Sequence, residues 1–152
     1  MLRLSEELSC GQARLRVDVH GSQPLEHVLN EMTYFNYRLA SVQVHAQVTE
    51  PAPGLVWHQD APEKSIYYQD GTLILEGDWY QGEVQKILIS MLALRMEAAG
   101  LHPFHSSAIR YRDRCILFLG GEENHGKSMA QIEGSRRGGL IVSTETLSLI
   151  HI

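Results

Sequence analysis

The stretch Gly121-Glu122-Glu123-Asn124-His125-Gly126-Lys127-Ser128 carries the spacing G-x-x-x-x-G-K-[ST]. A loop that wraps a polyphosphate must aim several backbone N–H groups at one point, and glycines at the bends leave room for that approach. A helix opening behind the loop adds unpaired N–H groups and the positive end of its dipole. Lys127 would place a mobile cation against the β- and γ-phosphates, and the Ser128 hydroxyl would ligate Mg²⁺. ATP with Mg²⁺ is the expected ligand, held by Gly121, Glu122, Glu123, Asn124, His125, Gly126, Lys127 and Ser128. The Glu122 and Glu123 carboxylates must point outward, since each would repel a phosphate by about 1–4 kcal/mol. Asn124 tolerates left-handed backbone geometry. The plain alternative is a glycine-rich turn with an incidental lysine, but Lys127 is one of only three lysines in the chain.

Such a motif is credible only between a buried strand and a helix. Cys115–Leu119 (CILFL) is a continuous apolar run and reads as a strand buried on both faces. Ser106–Tyr111 reads as the strand before it, with Arg112–Arg114 as the turn. Lys127–Arg137 holds few helix breakers and reads as a helix with Met129, Ala130 and Ile132 inward. The first hundred residues read as a small α+β region. Ala13–His20 and Ser41–Val48 alternate with the period of a half-buried strand. Pro24–Met32 has helical spacing after Ser22 and Gln23. Leu55–Gln59 reads as a short strand. Asp70-Gly71 between Lys64–Gln69 and Thr72–Glu76 signals a hairpin. Glu83–Ala99 reads as a long helix with apolar residues around much of its circumference, closed by Gly100. His45, Trp57, His58 and Tyr67 read as packing or surface residues, and no site is assigned before residue 100.

The 152 residues suit one domain, or one small domain and part of another. An apolar content of 43% with 20% charged residues excludes a disordered chain. Thirteen basic against eighteen acidic residues leave a formal charge of −5, which argues against a dedicated nucleic-acid binder. Residues 1–100 carry seven basic and thirteen acidic groups, whereas 101–152 carry six and five, so the two parts differ in kind. The longest nearly unbroken apolar run, Ile87–Leu94, falls far short of the roughly 20 residues of a membrane span. The acidic N-terminus does not resemble a secretion signal. Cys10 and Cys115 suit reduced thiols, and a cytoplasmic location is expected.

Leu101–Thr146 resembles the C-terminal catalytic domain of HPr serine kinase and its HPr-kinase-like relatives. The matching pieces are LHPFHSSAIRY, RDR, CILFLG, GEENHGKS, MAQIEGSRRG and GLIVSTE, about 46 residues and under a third of the chain. Over 101–146 the resemblance implies the start of a phosphate-loop domain of the HPr-kinase/PEP-carboxykinase-like type, so that with the α+β part read from its own elements over 1–100 the chain is expected to be α/β. The resemblance implies an ATP-dependent phosphotransferase acting on a hydroxyl of a protein or a small molecule, and an oligomer is compatible with it; charge and run length leave neither nucleic acid nor membrane as an expected partner. His105 falls where the family has a histidine near the active site, with an ordinary strand-end histidine as the even alternative. The family's aspartate pair falls on Thr144 and Glu145. Glu145 can still hold Mg²⁺ and is placed with His105 among the catalytic candidates. Thr144 cannot serve as a base at neutral pH, which keeps open a nucleotide-dependent binding or regulatory module without phosphotransfer. Leu147–Ile152 resembles the translation of a transposon end used in preparing sequencing libraries and is expected to lie outside the fold. The phosphate-loop domain is then expected to be incomplete and this polypeptide inactive by itself, because a parallel sheet of several strands is expected around such a loop.

Overall fold

The structure, a computed structural model, describes residues 2–22, 42–120, 126–143 and 146–150. The helix expected over Pro24–Met32 lies outside them. The described residues form two compact units, one ending at Ala99 and the other opening at Gly100. Both mix helix and sheet.

In the first unit, β1 (Leu2–Cys10) and β2 (Ala13–Gly21) form a hairpin across Gly11, whose φ of 59° suits a tight turn. The alternation in β2 buries Leu15, Val17 and Val19 as the period predicts. β4 (Leu55–His58) and β6 (Thr72–Glu76) run parallel to β2, while β3 (Gln43–His45) and β5 (Ser65–Gln69) close the two edges antiparallel. The sheet order is β3-β1-β2-β4-β6-β5. Asp70 (φ 49°) and Gly71 (φ 85°) make the two-residue turn between β5 and β6 that their types predicted.

β3 is shorter than the strand expected over Ser41–Val48. Just beyond that stretch the backbone N–H groups of Thr49 and Glu50 both donate to the buried Glu7 carboxylate at 2.8 Å, which satisfies them outside any ladder. Helix α1 (Gln81–Ala98) lays Val84, Leu88, Leu92 and Met96, four residues apart, into the core against β2 and β1. Each of its leucines there contributes about 1.5–3 kcal/mol through burial. Its apolar surface is narrower than the sequence suggested, since Leu94 is 72% exposed. Gly100, at φ 76°, follows the end of the helix.

In the second unit, β7 (Leu101–Tyr111) is central. β8 (Arg114–Leu119) pairs with its residues 106–111, and β9 (Leu140–Ser143) and β10 (Thr146–Ile150) pair with residues 108–110 and 101–105. Every pairing is antiparallel, which corrects the expectation of neighbouring parallel strands. β8 and β9 nevertheless run in the same direction, one on each side of β7. Leu147–Ile150, set aside from the fold on sequence grounds, are part of β10; the alternation of Leu147 and Leu149 has the period of a strand.

Two further expectations are overturned. β8 is not buried on both faces: it is a sheet-edge strand, with Cys115, Ile116 and Leu119 exposed. In helix α2 (Lys127–Arg136), Met129 and Ile132 are exposed and Ala130 only half-buried, while Gln131 is the buried residue. A bulge between Ala108 and Ile109 explains this polar choice. Carbonyls near an interrupted ladder need a donor, and the Gln131 amide donates to Ser143 O at 2.7 Å and to Ala108 O at 3.5 Å. Gly134 lets α2 approach β7, since a Cβ there would collide with Ile109 Cδ1. No described helix is long and apolar enough to cross a membrane.

Candidate phosphate-binding site

The ladder of β7 brings three chain ends to one place. The last residue of β8, Leu119, pairs with Ser106. The last residue of β9, Ser143, pairs with Ala108. The first residue of α2, Lys127, accepts a hydrogen bond at its carbonyl from the Ser107 hydroxyl at 3.1 Å. The carboxyl ends of two like-directed strands and the amino end of a helix therefore converge on residues 106–108 of β7. In α/β proteins such a convergence is where anions bind.

Local backbone chemistry shapes the entrance to the helix. Gly126 is the N-cap of α2 at φ 79° and ψ 9°, and its surroundings are open, so conformation rather than crowding calls for glycine there. Its carbonyl accepts the first helical bond from Ala130 N at 2.8 Å. No acidic residue stands in the first turn and no side chain caps it. A negative charge placed at that end would suit the helix dipole.

Lys127 spans the gap between strand and helix. Its ammonium donates to Gly120 O at 3.2 Å, so both ends of the loop meet through it. Ser128, next in the helix, is exposed. Arg110, Arg112 and Arg114 lie at the opposite end of the β7–β8 hairpin, and Arg137 is paired with Glu133 at 2.8 Å, so Lys127 supplies the cation at the loop end.

Of the residues the sequence singled out, the structure brings Gly126, Lys127 and Ser128 together with Gly120. His105 is exposed on β7 next to Ser106 and pairs in register with Thr146. Gly121, Glu122, Glu123, Asn124, His125 and Glu145, with Thr144, lie outside the described residues. Two contributing residues escaped the sequence reading, Ser107 and Gln131. Ser107 was signalled by the polar pair it forms with Ser106 in the middle of a strand, whereas the helix period gave no signal for Gln131, which falls away from the side expected to face inward.

The other polar clusters are structural. Arg3 and Arg16 pair with the buried Asp18, and Arg14 with Glu7. Among the described residues no group of three or more His, Cys, Asp or Glu could hold a metal ion. No protein-family model and no curated protein matches the chain.

Proposed function

We propose that the protein binds ATP through the 120–128 loop and belongs to an HPr-kinase-like phosphotransferase that passes the γ-phosphate to a hydroxyl. One observation carries the reading: left-handed Gly126 turns the chain into α2 so that Lys127 reaches back to the end of β8, at the carboxyl ends of β8 and β9. A glycine loop alone would be a weaker ground.

The main-chain N–H groups of the loop and of the first turn of α2 would bind the phosphate oxygens. Lys127 would exchange its bond to Gly120 O for one to a phosphate and offset its charge. Magnesium, when bound, would neutralise the phosphates further. Such an ion takes only one or two protein groups besides the nucleotide, and the exposed Ser128 hydroxyl fits one of them, with Glu145 as the other. Transfer would be in-line: the acceptor oxygen bonds to the γ-phosphorus, the bond to the departing ADP oxygen breaks, and the hydroxyl proton passes to a base. His105, exposed beside Ser106, is the candidate for that proton. The first reading is a kinase, and the second, a nucleotide-dependent module without transfer, is favoured by Thr144 at a position where the family has an acid.

The test is ATP binding by titration calorimetry with the full chain and with Lys127→Ala. Losing a charge-assisted bond of about 1.5–3 kcal/mol weakens binding roughly ten- to hundredfold. Equal affinity in the two proteins, or no binding by either, overturns the reading. Label passed from γ-labelled ATP to a hydroxyl in a single-turnover incubation then selects the kinase over the module.

A further inference from the structure

We propose that the outer edge of β5 is a docking site for an extended, basic segment of a partner protein, which would add to the first unit as a seventh strand. The proposal is independent of the phosphate loop, which lies in the other unit.

The two edges of the six-stranded sheet are unlike. β3, on one side, is three residues long and too short to template another strand. β5, on the other, pairs with β6 over five unbroken positions, Ser65↔Glu76 to Gln69↔Thr72, and with no other described strand. Edge strands are commonly blocked by a charged residue, a proline, a bulge or a covering element. β5 reads Ser-Ile-Tyr-Tyr-Gln and has none of the first three. Nor is it covered: Ile66, Tyr67 and Tyr68 are 49%, 42% and 67% exposed. Alternation puts Ile66 and Tyr68 on one face of the strand and Tyr67 on the other. An incoming strand would find an apolar handle on both faces and free main-chain groups between them.

The charge around this edge indicates the partner's sign. Glu63 precedes β5, Asp70 stands in its turn, Glu76 ends β6 and accepts from the Ser65 and Tyr67 hydroxyls, and Asp78 follows it. The one lysine there, Lys64, is engaged by Glu83 at 2.6 Å and lies over the Trp79 ring at 4.4 Å. Complementarity selects a segment that alternates apolar with Lys or Arg residues.

A fluorescein-labelled ten-residue peptide alternating valine and lysine, titrated into the full chain and followed by anisotropy, tests this. The expected result is saturable binding at least about tenfold tighter than that of a valine–glutamate peptide or of a version with prolines at alternate positions. Tyr68→Lys should weaken it by at least a similar factor without changing the ATP affinity of the full chain. In the wild type, bound peptide should slow amide hydrogen exchange within Ser65–Gln69, a readout that does not depend on the variant folding. Absence of binding, equal binding of the acidic peptide, or unchanged exchange in β5 overturns the proposal. So does a concentration-dependent dimer that Tyr68→Lys abolishes while the peptide fails to bind, since the occupant is then a second copy of the chain.

Discussion

Glu7 keeps its charge inside the first unit. Burial by itself would raise its pKa. The backbone N–H groups of Glu50 and Thr49, the Arg14 guanidinium and the Thr49 hydroxyl outweigh that and hold the carboxyl at about 2. A folded-state pKa below the unfolded value means that the carboxylate stabilises the fold above about pH 4.5 and that this contribution drains away as pH falls toward 2. Glu7→Gln is therefore expected to lower stability at neutral pH, with the gap to the wild type closing between pH 4.5 and 2. Urea unfolding followed by tryptophan fluorescence at stepped pH measures it, and a gap independent of pH would refute the assignment. His20 acts in the same direction. Burial, then the charges of His58 and Arg3, depress its pKa, so the fold favours the neutral ring and loses that preference as pH drops below 6.5. None of this was legible in the sequence. Glu7 stands in a strand whose partners, from Arg14 to Glu50, are brought to it only by the sheet.

At the scale of the element, the start of α2 depends on one dihedral. Gly126 has open space around it, so a substitution there acts through φ alone. A left-handed residue with a Cβ costs roughly 1–2 kcal/mol, and asparagine less than alanine or valine. Gly126→Ala should lower the melting temperature of the second unit and weaken ATP binding, Gly126→Val more, and Gly126→Asn least. Circular dichroism and calorimetry on the three variants give the order; equal effects of Asn and Val would show that φ is not the cause. The sequence placed a helix start after Gly126, and glycine is the residue that adopts the left-handed φ found there. It misread the helix beyond it. Helical period places Met129 and Ile132 inward, but the carbonyls beside the bulge in β7 need a donor, and the helix turns its other side, with Gln131, toward them.

Among the described residues the apolar core is unequally shared between the two units. Of the buried apolar residues described, only Leu101, Ala108 and Ile109 belong to the second unit; the rest, from Leu8 to Met96, belong to the first. The second unit leaves Leu119, Met129, Leu140 and Ile141 more than half exposed. Less apolar area removed from water means less to set against chain entropy. The second unit is expected to unfold at lower urea than the first. Both tryptophans, Trp57 and Trp79, lie in the first unit, so fluorescence reports it alone. Loss of circular dichroism should therefore begin before the fluorescence transition, and coincident curves would contradict the inequality.

Short-range chemistry alone determined the Asp70-Gly71 hairpin, the alternation of β2, the existence of α1, the change of character near residue 100 and the left-handed glycine before α2. Each is encoded by neighbours in the chain, through φ preferences, side-chain period or capping. The tertiary structure decided what those elements face. It made β8 an edge rather than a core strand, set β7 between β8 and β9, gave the Thr49 and Glu50 amides to Glu7, and turned Gln131 inward. Burial and hydrogen-bond demand arise between residues distant in sequence, and no local pattern records them.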